Sequence, residues 1–380
     1  METYNFYGGQ TCPESVPVDG LVKAAGRILP SRVKQFVNYD FQENQHEDLK
    51  EVVSNWIEGR NDIHVPPSKI LITTGSMLAI TCSVNILTKP GDTVITDELA
   101  FMGALSSFRH FGLNIVGVPM DEKDGMNVDA LEETLKSLSD KNIEPKLIYT
   151  TAYYQNPTTA VLSIPRRERM IALAQKYNVM ILDDDCYGGV SFGGEPASKT
   201  LYALGDEEFI IHVGSFSKIV APGIRLGYLI APERFKEQIT AVKKVFEGGT
   251  SSFTSAIVAE YLRHNLWAHV GTHNKIVEKK RDLTLKALND YLGGFARWIK
   301  PRGGLFIWVS LPETMDTLRL EELAKQNGVR YDPGRMFSTE LKEVKGLRLS
   351  YAHMPEKEIP KGIKVLADCV KRCMDEQQKG

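Results

Sequence analysis

Five stretches of this 380-residue chain carry side chains able to do chemistry. Ser215-Phe216-Ser217-Lys218 sets an amine among hydroxyls. A lysine amine attacks a carbonyl, or moves a proton, once it is neutral, and a desolvated, cation-rich pocket favours that state. Asp183-Asp184-Asp185, closely followed by Tyr187, offers carboxylates and a phenol. Gly75-Ser76-Met77 opens an apolar helical run, and the free N–H groups of a helix start favour an anion. Asn156-Pro157 supplies an amide, and Arg348 a planar fork that grips a carboxylate through two parallel hydrogen bonds. Taken singly, each has a plainer reading. Gly75-Ser76 makes a cap, and Asn156-Pro157-Thr158 makes a turn. The Asp run makes a helix cap or a divalent-metal site. Lys218 is then a solvated lysine and Arg348 half of a structural ion pair.

Placement joins them. Ile70–Thr74, Lys146–Thr151, Val179–Leu182, Phe209–Val213 and Leu226–Ala231 read as short buried strands, and Val94-Ile95 begins another. Between them lie amphipathic stretches: Leu49, Val52, Val53, Trp56 and Ile57 at helical spacing with Gly59 as the stop, Met77 to Leu87, and Arg166 to Tyr177. Strands alternating with helices imply an α/β fold with a mostly parallel sheet covered on both faces. Ligands of such sheets bind beyond the carboxyl ends of the strands, and four of the five stretches follow those ends. Beyond about Pro232 a helical region runs to about Tyr291. Strand-like Phe306–Val309 and Leu347–Tyr351 follow, then a closing helix from about Pro360. This pattern predicts a large domain over 45–262 and a smaller α/β domain built from 1–44 and 263–380.

Composition narrows the function class. The chain is 42% hydrophobic and 25% charged, with net charge -2. That balance gives no footprint for nucleic acid or an anionic membrane. No stretch approaches the ~18 apolar residues that span a bilayer, and the start of the chain lacks the basic and apolar regions of a signal peptide. Five scattered cysteines argue against a disulfide framework and for a reducing, cytoplasmic compartment. Cys369 and Cys373, four apart, read as two half-buried thiols on one helix face. No metal site is expected.

Residues Ser215 to Tyr228, Ser-Phe-Ser-Lys-Ile-Val-Ala-Pro-Gly-Ile-Arg-Leu-Gly-Tyr, resemble the lysine signature of class I/II aminotransferases, pyridoxal-phosphate (PLP) enzymes of fold type I. The resemblance spans nearly the whole chain. Tyr39 with Leu49-Lys50, Leu71 to Ser76, Gln155 to Thr158, Asp184 with Tyr187, Pro301 to Trp308, Pro333-Gly334 with Phe337, and Arg348 to Ala352 fall in family order. The chain is most similar to the subgroup of 2-aminoadipate, aromatic and kynurenine aminotransferases. The resemblance implies the PLP-dependent transferase fold and pyridoxal 5'-phosphate held as a Schiff base on Lys218. It implies that Asp184 pairs with the pyridine nitrogen, that Asn156 and Tyr187 bond the phenolic oxygen, and that Phe101 stacks on the ring. Gly75, Ser76, Met77, Ser215, Ser217 and Arg225 would form the phosphate cup, with Tyr39 reaching across from the partner of a homodimer. Arg348 would take the substrate α-carboxylate, with Asn156 and Gly9 beside it.

Some positions depart from the family. Phe101 stands where Tyr is usual, Met77 for Gln, Thr159 for Gly and Cys186 for Pro. The expected reaction moves an amino group between an amino acid and a 2-oxo acid. β- or γ-Elimination, replacement or cyclisation on the same scaffold is the alternative; a PLP-sensing module, which would want a DNA-binding segment ahead of Gly8-Gly9, is a third. Gln10 to Val16 carries Glu14 and no cation. Either this segment favours polar, cationic or aromatic side chains over acidic ones, or Glu14 is a solvated helix-start residue without a pocket role.

Overall fold

The computed structural model describes residues 3–37, 46–193 and 199–378. Tyr39 lies outside them. Seven strands form the central sheet: β1 (Ile70–Thr73), β2 (Thr93–Asp97), β3 (Asn114–Val118), β4 (Pro145–Thr150), β5 (Met180–Asp184), β6 (Ile210–Ser215) and β7 (Gly227–Ile230). Their order is β1-β7-β6-β5-β4-β2-β3. Strands β2 to β6 pair in parallel, and β7 alone runs antiparallel to its neighbours β1 and β6. The carboxyl ends of β1 to β6 therefore share one edge with the amino end of β7.

Side chains alternate across this sheet because successive residues of a strand point to opposite faces. Ile70, Ile72, Ile95, Ile148, Ile181 and Ile210 enter one core. Leu71, Val94, Leu147, Leu182, Ile211 and Leu229 enter the other. Both faces are filled, so these strands read in sequence as unbroken apolar runs.

A second, antiparallel sheet holds β8 (Arg297–Trp298), β9 (Phe306–Ser310), β10 (Asp332–Pro333) and β11 (Gly346–Ser350), in the order β8-β9-β11-β10. The chain start joins this layer: Tyr4–Asn5 pairs in parallel with Val329–Arg330. Helix Ile359–Gln378 closes the chain and carries Cys369 and Cys373, both buried rather than half-buried.

Two expectations need correction. The helical region from Pro232 to Tyr291 is two helices, Glu233–Glu247 and Ser252–Leu292. Gly248 ends the first in the left-handed region (φ 65°), and the Ser251 side chain caps the second by accepting from the Thr254 N–H. Gly59 is not a stop, since the helix Glu47–Asn61 runs through it to a left-handed Asp62. Its missing side chain serves packing instead. A Cβ there would lie 2.3 Å from the Trp267 ring, which stacks on Trp56 with centroids 5.1 Å apart.

Gly59→Ala sets a helix-propensity gain of about 1 kcal/mol against that clash. The variant is expected to melt below the parent. In a Trp267→Ala background the same change is expected to raise the melting temperature by the equivalent of roughly 0.5–1 kcal/mol. Thermal unfolding of the four proteins checks both signs.

Candidate active site

At the shared edge, between the two sheets, lies a cleft of about 350 Å³. Gly9, Phe101, Asn156, Tyr187, Lys218 and Arg348 all line it. Lys218 follows β6, and its Nζ donates to the Gly9 carbonyl at 2.7 Å. Burial pushes its ammonium down to about 8; Arg348 and Arg225 add to that push, and Asp184 opposes it. A lysine so placed is partly neutral near neutral pH, the state that makes it a nucleophile and a base.

The pleat sorts the three aspartates. Asp183 and His212 are register partners on β5 and β6, so their side chains share a face, and His212 Nδ1 lies 2.9 Å from the Asp183 carboxylate. Asp185, two residues on, faces the same way and binds Arg60, whose Nη1 donates at 2.5 Å. Asp184 points to the opposite face. Its Oδ2 accepts from the Tyr149 hydroxyl at 2.7 Å, and its Oδ1, fully buried, has no partner. Burial holds this carboxyl above its usual range. Tyr149 was not among the expected site residues. Strand parity was the signal for it: Tyr149 registers with Leu182, two residues before Asp184. The three carboxylates do not converge, and no metal-holding group of three or more acidic, His or Cys side chains exists among the described residues.

Asn156 bridges two other groups, donating from Nδ2 to the Tyr187 hydroxyl at 3.1 Å and accepting on Oδ1 from Arg348 Nη1 at 2.5 Å. Burial also raises the Tyr187 phenol, which keeps its proton available as a donor. Gly75 precedes helix Ser76–Leu87 with φ 80°, a conformation that suits glycine. A Cβ there would sit 2.8 Å from Arg225 Nη2, which donates to the Thr74 carbonyl at 3.2 Å. Arg225 arrives because β7 runs backwards and starts beside Gly75; a Cβ on Gly227 would meet the Ser76 nitrogen at 2.8 Å. Ser215 Oγ accepts from the Ser217 N–H at 3.1 Å. Met77 and Phe101 meet over Gly103, where a Cβ would lie 2.9 Å from Met77 Sδ and 2.6 Å from the Phe101 ring.

Glu14 is not in this cleft. Both its oxygens bind Lys280 Nζ, at 3.0 and 2.8 Å, and Lys280 is fully buried. Its role is to neutralise that ammonium, so the pocket reading of Glu14 is withdrawn. The sequence reasoning also missed Asp332, which lies on the cleft wall opposite Arg348 in the β10–β11 register. Only its place beside Pro333-Gly334 marked it, and nothing local to that turn pointed at Arg348.

A partly neutral lysine, a helix start beside an arginine, and a buried carboxylate lacking a donor together fit an anionic, carbonyl-bearing cofactor with a protonated ring nitrogen. This is the equipment of a PLP-dependent transferase. Residues 17–366 match the model of the aminotransferase class I and II family. The aromatic-amino-acid aminotransferase 1 of Thermococcus litoralis is 32% identical, covering 97% of this chain and 88% of its own. The multiple substrate aminotransferase of Thermococcus profundus superposes with a TM-score of 0.93 at 30% identity, covering 99% of this chain and 93% of its own. The α-aminoadipate aminotransferase LysN of Thermus thermophilus, solved with N-(5'-phosphopyridoxyl)-L-leucine, gives a TM-score of 0.91 at 28% identity, covering 98% and 93%. The chain belongs to the class I and II aminotransferases: it is a transferase that uses pyridoxal 5'-phosphate to exchange an amino group between an amino acid and a 2-oxo acid.

The sorting of the aspartates has a testable consequence. Asp184→Ala is expected to weaken cofactor retention and cut turnover by orders of magnitude while the fold persists. Asp185→Ala strands the buried Arg60 guanidinium and is expected to cost about 3 kcal/mol of stability, with a smaller loss in the chemical step. Asp183→Ala should resemble Asp185→Ala more than Asp184→Ala. Cofactor absorbance and thermal unfolding, measured on all three, separate the two effects.

Proposed function

We propose that the Lys218 amine would hold the carbonyl of the cofactor and, when free, would carry the proton to and from the substrate α-carbon. Pyridoxal 5'-phosphate supplies the electron sink that tolerates negative charge at that carbon. Asp184 would hold the ring nitrogen protonated; its unpartnered buried Oδ1 is the observation that carries this reading, because a buried carboxylate oxygen without a donor is costly. Asn156 and Tyr187 would bond the ring's phenolic oxygen, and Phe101 would stack on the ring. The N–H groups at Gly75, Ser76 and Met77, with Ser215, Ser217 and Arg225, would cup the phosphate. Arg348 would orient the substrate through its α-carboxylate, with Gly9 closing the cleft beside it.

We further infer a homodimer in which Tyr39 reaches the partner's phosphate, and a cytoplasmic setting. All five cysteines are free, which suits a reducing compartment. No helix among the described residues is long and apolar enough to cross a membrane.

Two experiments test this reading. Apoprotein given pyridoxal 5'-phosphate is expected to turn yellow and, after borohydride, to carry the label on Lys218; a label on another lysine refutes the assignment. Because the reacting amine is neutral, the rate of capture should rise as pH passes about 8 and then level off. A rise continuing above pH ~10 would mean an unperturbed lysine. For the dimer, mixing inactive Tyr39→Ala and Lys218→Ala proteins is expected to restore partial activity, because a hybrid dimer contains one intact site. No recovery, with subunit exchange demonstrated, counts against a shared site.

A further inference from the structure

The guanidinium that receives the substrate carboxylate already holds another carboxylate. Asp332 Oδ2 accepts from Arg348 Nε at 3.1 Å and Nη2 at 2.7 Å, and from the Gly8 N–H at 3.0 Å. Asp332 Oδ1 is buried and has no partner. Both residues line the cleft and both are almost wholly buried, Arg348 at 2% exposed and Asp332 at 0%. Arg348 is further fixed by the Phe306 and Phe337 rings, 4.0 and 4.8 Å from its guanidinium carbon.

A guanidinium has five N–H donors. Asp332 takes one from Nε and one from Nη2, and Asn156 takes one from Nη1. One donor remains on each terminal nitrogen for a further carboxylate. The grip survives, but the charge does not balance. With the α-carboxylate bound, two carboxylates share one guanidinium in a buried wall. The other charged residue lining the cleft is Lys218, which the cofactor occupies in the proposed reading.

We propose that Asp332 makes this aminotransferase selective for amino acids with a cationic side chain, an ammonium or a guanidinium, and unfavourable to acidic ones. The proposal rests on the roles given above to Lys218 and Arg348. A cation from the substrate, held in the cleft that Asp332 lines, restores neutrality. An acidic side chain would add a third carboxylate, with no free cation among the described residues of the cleft wall, and an uncompensated buried charge is expensive.

The test compares kcat/KM for isosteric pairs on the holoenzyme: arginine against citrulline, and lysine against norleucine, with 2-aminoadipate as the acidic member. The wild type is expected to favour each basic substrate over its neutral partner by about tenfold or more. Asp332→Asn keeps an oxygen for Arg348 and Gly8 and removes the charge. It is expected to lower both ratios by about tenfold and to raise 2-aminoadipate relative to norleucine. The proposal is overturned if the wild type uses each pair equally, or if the variant slows both members of a pair alike, which would leave Asp332 as a positioning residue for Arg348 only. Should the variant lose its cofactor absorbance, the wild-type ratios decide alone. If no amino acid converts the cofactor to its pyridoxamine form, the transaminase reading fails and takes this proposal with it. Conversion by norleucine or 2-aminoadipate without a basic preference sinks this proposal alone.

Discussion

A sheet buried on both faces leaves polar chemistry one place to go, the edge where its strands end. Here that edge is stocked by backbone direction as much as by residue type. Strands β1 to β6 end there, and the reversed β7 begins there, so Gly75-Ser76, Asp184, Ser215 and Lys218 arrive at the ends of forward strands while Arg225 arrives at the start of the backward one. Had β7 run parallel to its neighbours, Arg225 would open on the far side of the sheet, away from the helix start at Ser76.

The same edge must tolerate many ionisable groups out of water, and most of them are held by a specific partner. Asp183 has His212, Asp185 has Arg60, and Arg348 has Asp332 and Asn156. Three groups are incompletely paired. Lys218 hydrogen-bonds to a carbonyl and loses basicity to burial, and Asp184 and Asp332 each keep an oxygen with no donor. Incomplete pairing in a buried site costs stability, so it persists where a ligand completes it.

The N-terminal segment ties the layers together over the cleft. Gly8 donates to Asp332, Gly9 accepts from Lys218, and the Thr11 hydroxyl donates to the Lys218 carbonyl at 3.0 Å. Lys218 directly, and Arg348 through Asp332, are thus both tied to one short strap. Tyr4–Asn5 anchors the strap by strand pairing with Val329–Arg330.

By itself the sequence determined a great deal. Apolar runs of four to six residues between amphipathic stretches fixed the class of sheet, because only strands buried on both faces read that way. The run from Ser215 to Tyr228 marked Lys218 as the candidate lysine, and the loops after strand ends brought Asn156, Tyr187 and Lys218 to the cleft, while the rest of its lining came from elsewhere in the chain. Where it fell short, the reason was local ambiguity resolved at a distance. Gly59 reads as a helix stop until Trp267, more than 200 residues away, claims the space its side chain would fill. Glu14 reads either as a pocket acid or as a helix-start residue without a pocket role until the buried Lys280 takes it. Three adjacent aspartates are equivalent in sequence; the pleat and the neighbouring strands gave one to His212, one to Arg60, and left one on the opposite face with an unpartnered oxygen. Asp332 and Arg348 are 16 residues apart and carry no shared motif, yet strand register sets them side by side. Spacing along a chain encodes which faces are apolar, whereas the pairing of buried charges depends on register and packing between segments, and those exist only once the chain has folded.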